Sequence, residues 1–404
     1  MERFIGVERA DALLAEALPA YEAEPRPIEA CAGRILRQPV VADRPQPPYD
    51  RVTMDGIAFR YEEWRGGRRE FALGGTQAAG VAPLTLVEPG VCLEVMTGAV
   101  LPEGADCIAR VEDVEISNGF AVIRDGAVLA ARQFVHARGS DCSAGAVLLE
   151  PGVRLTAPRI AICAAMGLAR LDVGKTLRIA VVSTGDELVD LSEAAAPHQV
   201  RRSNSYAIAG ALQRRLQGDG ACFHIPDDAG ETERILREIL EQFDVLVLSG
   251  GVSMGKFDYV PQALERLSVE GIFHKVTQRP GKPMWFGVGR EGQAVFALPG
   301  NPVSAIVCLT RYVIPHLERA SGLTEPHRER AALARSIDFS PDLTYFVPVQ
   351  LSSDGEGPLR AAPQPTNTSG DFVALGATDG IMELKRGQDG YPQGYASEVY
   401  RWAE

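Results

Sequence analysis

The sequence predicts a multidomain α/β protein built around a doubly wound, mainly parallel sheet, with smaller β-rich parts on either side. Three observations predict this. Strand-like and helix-like segments alternate from residue 177 to about 318. Glycine turns fall at the ends of those strand-like runs. Short β-like runs broken by Gly and Pro fill residues 50–130 and return after about 325.

The alternation is the clearest signal. Leu177 to Ser183 is an apolar strand, residues 204–217 read as a helix ended by Gly218, and Ala221 to Ile225 is a second strand. Residues 231–242 are helical, Phe243 to Ser249 is a buried strand, and residues 258–267 are helical again. Strands near 284–288 and 294–298 precede a helix over 302–318. Strand–helix alternation at this spacing predicts a parallel sheet with helices on its faces.

Outside this region the character changes. Residues 7–18 have helical apolar spacing and stop at Pro19, and a connector rich in Pro (Pro39, Pro45, Pro47, Pro48) follows. Val91–Val95, Cys107–Val111 and Phe120–Ile123 are β-like, so residues 50–130 form a small β-rich unit. Residues 156–167 return to helix, with Pro158 in the first turn and Gly167 at the end. The β-unit is therefore expected as an insertion in a helical N-terminal domain. Tyr345–Leu351 and Gly380–Leu384 mark a C-terminal β-domain.

Composition narrows the function. A chain of 404 residues is expected to hold two to four domains. Its net charge of −12 argues against nucleic-acid or anionic-membrane partners. A small anionic substrate needs a local basic site against that field. Only five of the 41 basic residues are lysines, and Lys256, Lys275 and Lys282 cluster in one segment suited to phosphate or oxyanion. The seven cysteines are scattered without a CxxC, and the six histidines form no HxH or HExxH, which argues against a zinc site or disulfide framework. With no leader-like N-terminus and no long apolar run, the chain is expected to be cytoplasmic.

Ligands of parallel sheets bind beyond the carboxyl ends of the strands. Four loops fall there: Ser183-Thr184-Gly185-Asp186-Glu187, Ser249 to Gly255, Arg279-Pro280-Gly281-Lys282-Pro283 and Leu298 to Ser304. Paired glycines let backbone N–H groups approach phosphate closely. Pro302 suits a first helical turn, with Ser304 in that turn near its anion-binding end. Arg279 and Lys282 are two positive charges held apart by a stiff Pro-Gly pair. Asp186, Glu187, Asp228 and Asp258 gather near the same edge, where a hard cation such as Mg²⁺ could join them. Helix capping is the plainer role for Asp258 and, in part, Asp228.

Three more segments, Thr53-Met54-Asp55-Gly56, Met96-Thr97-Gly98-Ala99 and Arg138-Gly139-Ser140-Asp141, are ordinary turns taken singly. In order with the four loops, and with Gly250-Gly251-Val252-Ser253-x-Gly255-x-x-Asp258, they resemble the molybdopterin molybdenumtransferase (MoeA-like) family, to which the catalytic domain of gephyrin also belongs. The likeness runs from about residue 5 to 404, strong over 177–320 and weak after 325.

The resemblance implies a three-layer molybdopterin-binding α/β domain (174–322) and an elongated helical N-terminal domain (1–43 and 132–173). It also implies an inserted β-domain (44–131) and a C-terminal β-domain (323–404). A homodimer is implied, each cleft combining one subunit's α/β domain with the other's Asp55 and Asp141 loops. The implied reaction inserts molybdenum from molybdate into adenylated molybdopterin, with Mg²⁺ as cofactor and AMP released. By the same resemblance Asp55, Thr97, Asp141, Asp186, Glu187, Asp228 and Asp258 are catalytic, with Asp55, Asp141 and Glu187 on the metal. Gly250, Gly251, Ser253, Arg279, Lys282, Asn301 and Ser304 bind pterin phosphate and oxyanion. The adenylyltransferase and molybdoenzyme maturation proteins are the implied protein partners.

The chain departs from the family's pattern at several places. Arg279 stands for the first lysine of Lys-Pro-Gly-Lys-Pro, Arg202 for an aspartate, and Ser140 for the glutamate of Gly-Glu-Asp. Leu343 and Pro348 stand where the C-terminal domain usually supplies arginines around Phe346. These departures motivate a second reading, a pterin-binding paralogue or scaffold that has lost catalysis. A third, molybdopterin adenylyltransferase, fits poorly because that activity needs only the α/β domain.

Overall fold

The computed structural model describes residues 1–251, 259–324, 329–353, 355, 357–364, 366, 368 and 370–402. By contacts the chain divides into two units, Met1–Gln38 with Pro151–Ala161 and Leu168–Glu404, and Pro39–Glu150 with Ile162–Gly167.

The first unit is organised by a seven-stranded sheet. Its strands are β1 (Glu2–Ile5), β2 (Arg178–Thr184), β3 (Asp219–Ile225), β4 (Val245–Ser249), β5 (Glu270–Val276), β6 (Trp285–Val288) and β7 (Ala294–Leu298). They lie in the order β1-β5-β6-β7-β4-β2-β3. Pairing is parallel except where β6 runs antiparallel to β5 and to β7, so the sheet is mainly parallel as expected.

Why the strands read as unbroken apolar runs is visible in their side chains. Successive residues point to opposite faces, and here both faces are covered. Ile179 and Val181 join one core with α1 (Val7–Ala17), α2 (Ser203–Leu216) and the helical stretch beginning at α5 (Pro302–Cys308). Ala180 and Val182 join the other with α3 (Ala229–Gln242) and α4 (Val260–Arg266). Each Val or Leu so buried contributes about 1.5–3 kcal/mol. Asp228 starts α3 by accepting a 2.8 Å hydrogen bond from Glu231 N–H, the first half of a capping box.

Two strands of this sheet escape the sequence reading. Glu2–Ile5 pairs in parallel with β5, so a strand of the α/β layer precedes the expected helix, which begins at Val7. The run Glu270-Gly-Ile-Phe-His-Lys-Val276 is itself a full strand. Neither shows a clean period of two.

The C-terminal strands Glu329–Leu333, Thr344–Ser352, Arg360–Pro363, Gly380–Leu384 and Ala396–Arg401 close into a ring, because Thr344–Ser352 pairs with both Arg360–Pro363 and Gly380–Leu384. Val347, Val349, Met382 and Leu384 fill this barrel, while Phe346 and Ile381 face the α/β core. Gln278 and Arg279 pair in parallel with Thr344 and Tyr345, stitching the barrel to the α/β layer.

The second unit holds a six-stranded sheet ordered Cys107–Arg110, Gly56–Phe59, Val91–Val95, Glu70–Gln77, Phe120–Ile123, Val114–Ser117. Ile57 and Phe59 pack on one face of it and Ala58 on the other. Among the described residues no helix is long and apolar enough to cross a membrane.

Candidate active site

The sheet order creates a switch point. From β2 the chain crosses to β3 at one edge, whereas from β4 it moves to the other side of the sheet. The crevice between neighbouring strands whose connections leave in opposite directions is where open α/β sheets bind ligands. Here its walls are the loop after β2, Gly185-Asp186-Glu187, and the loop after β4, Gly250-Gly251.

Close approach explains the glycines. Gly250 and Gly251 have φ of 97° and 68°, a region costly for other residues. A methyl group on either would stand 2.9 Å from Thr184 Oγ1. The crevice floor is tied together laterally: Asn204 Nδ2 donates to Ser249 Oγ at 2.7 Å and to Gly300 O at 2.9 Å. Gly250 N–H donates to Leu298 O at 3.1 Å. Thus α2, β4 and the turn after β7 are held as one surface. Asn301 precedes α5 as its N-cap. Ser304 lies inside that helix's first turn and is buried, at 3% exposure.

The Arg279–Pro283 loop sits beside the same helix. Gly281 has a φ of 92°, and a methyl there would meet Cys308 Sγ at 2.5 Å and Gln278 Nε2 at 2.7 Å. Gln278 in turn donates to Pro280 O at 3.0 Å and accepts from the buried Tyr312 hydroxyl. Burial pushes the Cys308 thiol up to about 12, so this sulfur is a neutral packing group. The loop is thereby pinned from below, with Arg279 and Lys282 left exposed. The Lys282 ammonium lies 5.4 Å from the Phe4 ring centre.

The acidic residues divide by role. Asp227 N–H donates to Asp186 Oδ1 at 3.0 Å, joining the ends of β2 and β3. Glu187 folds back over Gly185, where a methyl would lie 2.3 Å from its Oε2. Asp228 uses Oδ1 to cap α3. Ser253 and Asp258 lie outside the described residues. Arg202 is ion-paired with Asp190. Of the barrel departures, Pro348 is buried opposite Ile381, and Leu343 packs on the barrel core.

The second unit places two more carboxylates on turns. Asp55 Oδ1 accepts from Thr97 N–H at 2.6 Å and from Thr97 Oγ1 at 2.8 Å. These two bonds, the backbone one first, hold the Asp55 carboxyl below the usual carboxylate range. Asp141 Oδ1 lies 2.8 Å from His136 Nε2, and His136 Nδ1 lies 3.0 Å from Arg51 Nη2. Arginine only donates, so Nδ1 accepts and Nε2 carries the proton that Asp141 receives as a hydrogen bond. His136 and Arg51 lack any motif that would have singled them out. Among the described residues no three His, Cys, Asp or Glu side chains converge as a metal cluster.

Comparison with known proteins decides the family. A molybdopterin molybdenumtransferase of Synechocystis is 39% identical over 376 residues, 93% of this chain and 94% of the relative. The chain belongs to the molybdopterin molybdenumtransferase family. A Synechococcus elongatus family member is 37% identical over 387 residues, covering 92% and 93% of the two chains. Three family models divide the sequence: "MoeA N-terminal region (domain I and II)" over residues 5–167, "Probable molybdopterin binding domain" over 180–319, and "MoeA C-terminal region (domain IV)" over 330–402. A crystal structure of the molybdopterin biosynthesis MoeA protein of Pyrococcus horikoshii aligns with a TM-score of 0.80 at 29% identity, covering 99% of this chain and 100% of that one. The family's α/β domain carries the switch-point crevice, and its C-terminal domain is the barrel joined to Arg279.

Proposed function

We propose that this protein inserts molybdenum from molybdate into adenylated molybdopterin in a Mg²⁺-dependent step that releases AMP. The observation that carries this reading is the continuity between the crevice and the cationic loop. A methyl on Gly300 would lie 3.6 Å from Gly250 Cα, and one on Gly281 would lie 3.6 Å from Ser304 O. The segment from Gly300 to Ser304 therefore links the Gly250 backbone to the loop bearing Arg279 and Lys282.

That arrangement answers the physical problem of the reaction, which is the meeting of two anions. Gly250 and Gly251 bring backbone close to the pterin phosphate, with Asn301 at the neighbouring helix start; Ser253, outside the described residues, is assigned to the same phosphate by the family resemblance alone. Arg279 and Lys282 offset the charge of the incoming oxyanion, and preorganised cations act at the moment charge develops without reorganising. Ser304 supports the loop that carries them. Asp186 joins the ends of β2 and β3 through Asp227 at the crevice mouth, and Asp228 caps the helix that follows.

Asp55, Asp141 and Glu187 suit Mg²⁺. Each is at least partly exposed and keeps a carboxylate oxygen that accepts no hydrogen bond from a described residue, the hard donor such an ion takes. Bound there, the ion would neutralise phosphate charge. Thr97 and His136 orient two of these carboxylates.

The reading carries a division into domains 1–43 with 132–173, 44–131, 174–322 and 323–404. It also carries a homodimer in which the Asp55 and Asp141 loops of one subunit complete the other's cleft. Handover partners are the adenylyltransferase upstream and molybdoenzyme maturation proteins downstream.

The test is AMP release from protein loaded with adenylated molybdopterin. Release that requires both molybdate and Mg²⁺ supports the reading. Tight pterin binding with no release above background would instead show a binding-only paralogue.

A further inference from the structure

The Lys282 loop is part of a larger cationic surface. Along residues 275–279 exposure alternates: Val276 and Gln278 are buried, while Lys275, Thr277 and Arg279 face outward. The Lys275 ammonium lies 5.1 Å from the Phe4 ring centre, the same ring that takes Lys282 at 5.4 Å. Phe4 itself is 54% exposed. Thr277 is fixed to the strand bearing Phe4, because its N–H and its Oγ1 both donate to Ile5 O, at 2.8 Å and 3.1 Å.

A fourth cation reaches this surface from the barrel. Arg386 follows Leu384 by two residues, and Leu384 pairs with Tyr345, the register partner of Arg279 on that strand's other side. Arg386 is exposed, and its Nη1 approaches Thr277 Oγ1 at 3.5 Å. Among the described residues none of Lys275, Arg279, Lys282 and Arg386 makes an ion pair. In a chain of net charge −12 with 53 acidic residues, four cations without an ion pair among the described residues, two of them over the Phe4 ring and one against Thr277, are out of keeping with a merely solvated face. Phe4 and Lys275 also both hold left-handed backbone, at φ of 54° and 72°. Such conformations in non-glycine residues are unfavourable and gather at functional sites.

We propose that Arg386 and Lys275, with Arg279 and Lys282, form one oxyanion-binding surface, in which the barrel contributes its charge through Arg386, two residues past the end of the strand that pairs with Pro348. This deepens the proposed function and rests on its placement of the oxyanion at Arg279 and Lys282. Two ammonium groups over one ring repel each other, and a compact divalent oxyanion removes that cost. A guanidinium held by one long hydrogen bond is free to turn onto the anion, and a bond between charged partners strengthens binding by about tenfold or more. Arg386 is a binding residue in this account, and Phe4 and Thr277 position the cations.

The test measures molybdate alone binding to the full-length protein by isothermal titration, for wild type, Arg386→Ala, Arg386→Lys, Lys275→Ala and Lys282→Ala. Arg386→Ala and Lys275→Ala are expected to weaken molybdate about tenfold each, with Arg386→Lys recovering part of the loss. In turnover, KM for molybdate should rise while kcat at saturation stays within about twofold, a split that follows from lost ground-state binding. If Lys282→Ala weakens molybdate but neither Arg386→Ala nor Lys275→Ala does, the extended surface is wrong and the smaller site stands. If wild type takes up no molybdate, or Lys282→Ala leaves binding unchanged, the placement of the oxyanion itself is overturned.

Discussion

Thr97 donates twice to a single oxygen of Asp55, from its backbone nitrogen at 2.6 Å and from its hydroxyl at 2.8 Å. Both bonds favour the charged carboxylate and aim its second oxygen away from Thr97. Asp55 is exposed, so little packing depends on it. Asp55→Ala should therefore leave the melting temperature unchanged while AMP release falls at least about a hundredfold, the scale of losing a group that organises transition-state charge. A large fall in melting temperature would make Asp55 a structural turn residue.

The turn carrying Asp141 hangs on Asp50. Asp50 Oδ2 accepts from Arg132 Nη1 at 2.7 Å and Oδ1 accepts from Arg138 N–H at 2.8 Å. The Arg132 bond foremost holds the Asp50 carboxyl below its ordinary value. A carboxyl depressed on folding adds stability that is complete above its unfolded value, about 3.9, and is lost as pH falls through the native value. The acid limb of a melting-temperature profile between pH 3 and 7 should be shallower in Asp50→Asn than in wild type. Identical acid limbs would contradict this role.

Gly281 is the pivot of the cationic loop. A side chain there must adopt a left-handed backbone and displace Cys308 or Gln278. The backbone term alone costs roughly 1–2 kcal/mol. Gly281→Ala should lower unfolding free energy by at least that amount in urea titrations and weaken molybdate binding, because Arg279 and Lys282 move with the loop. A variant as stable as wild type, with unchanged molybdate affinity, would show the loop to be unconstrained.

Arg311 joins three parts of the first unit. It donates two 2.8 Å bonds to Asp11 on α1 and one of 2.9 Å to Glu383 of the barrel, and it is almost fully buried. Arg311→Met leaves Glu383 buried with its charge unpaired, at a cost of about 3–5 kcal/mol. Adding Glu383→Gln should return part of that loss in urea denaturation, and an unchanged double variant would contradict the pairing.

Much of this arrangement is legible in sequence because it depends on short-range rules. Uniformly apolar strands such as Val245–Ser249 announce burial on both faces, and Gly250, Gly251 and Gly281 announce conformations that other residues resist. Asp228 followed by Glu231 spells a helix start. What sequence hides is long-range pairing. Glu2–Ile5 is too short and mixed to declare itself a strand, and its partner is 271 residues away, as in the pair Glu2 and Phe273. Arg386 looks like a surface charge until the barrel brings it to Thr277, whereas Lys275 already stands out in the lysine cluster. His136 gains its role only through Arg51 and Asp141, which no local period connects.

The central claim is that a glycine-lined crevice and a cationic loop bring two mutually repelling anions together. Anomalous X-ray scattering from crystals soaked with molybdate and AMP tests it most directly. The account predicts a molybdenum peak within hydrogen-bonding reach of Lys282 and Arg279, with the AMP phosphate beside Gly250 and Gly251. A molybdenum peak elsewhere on the protein, with these side chains facing only solvent, would contradict it.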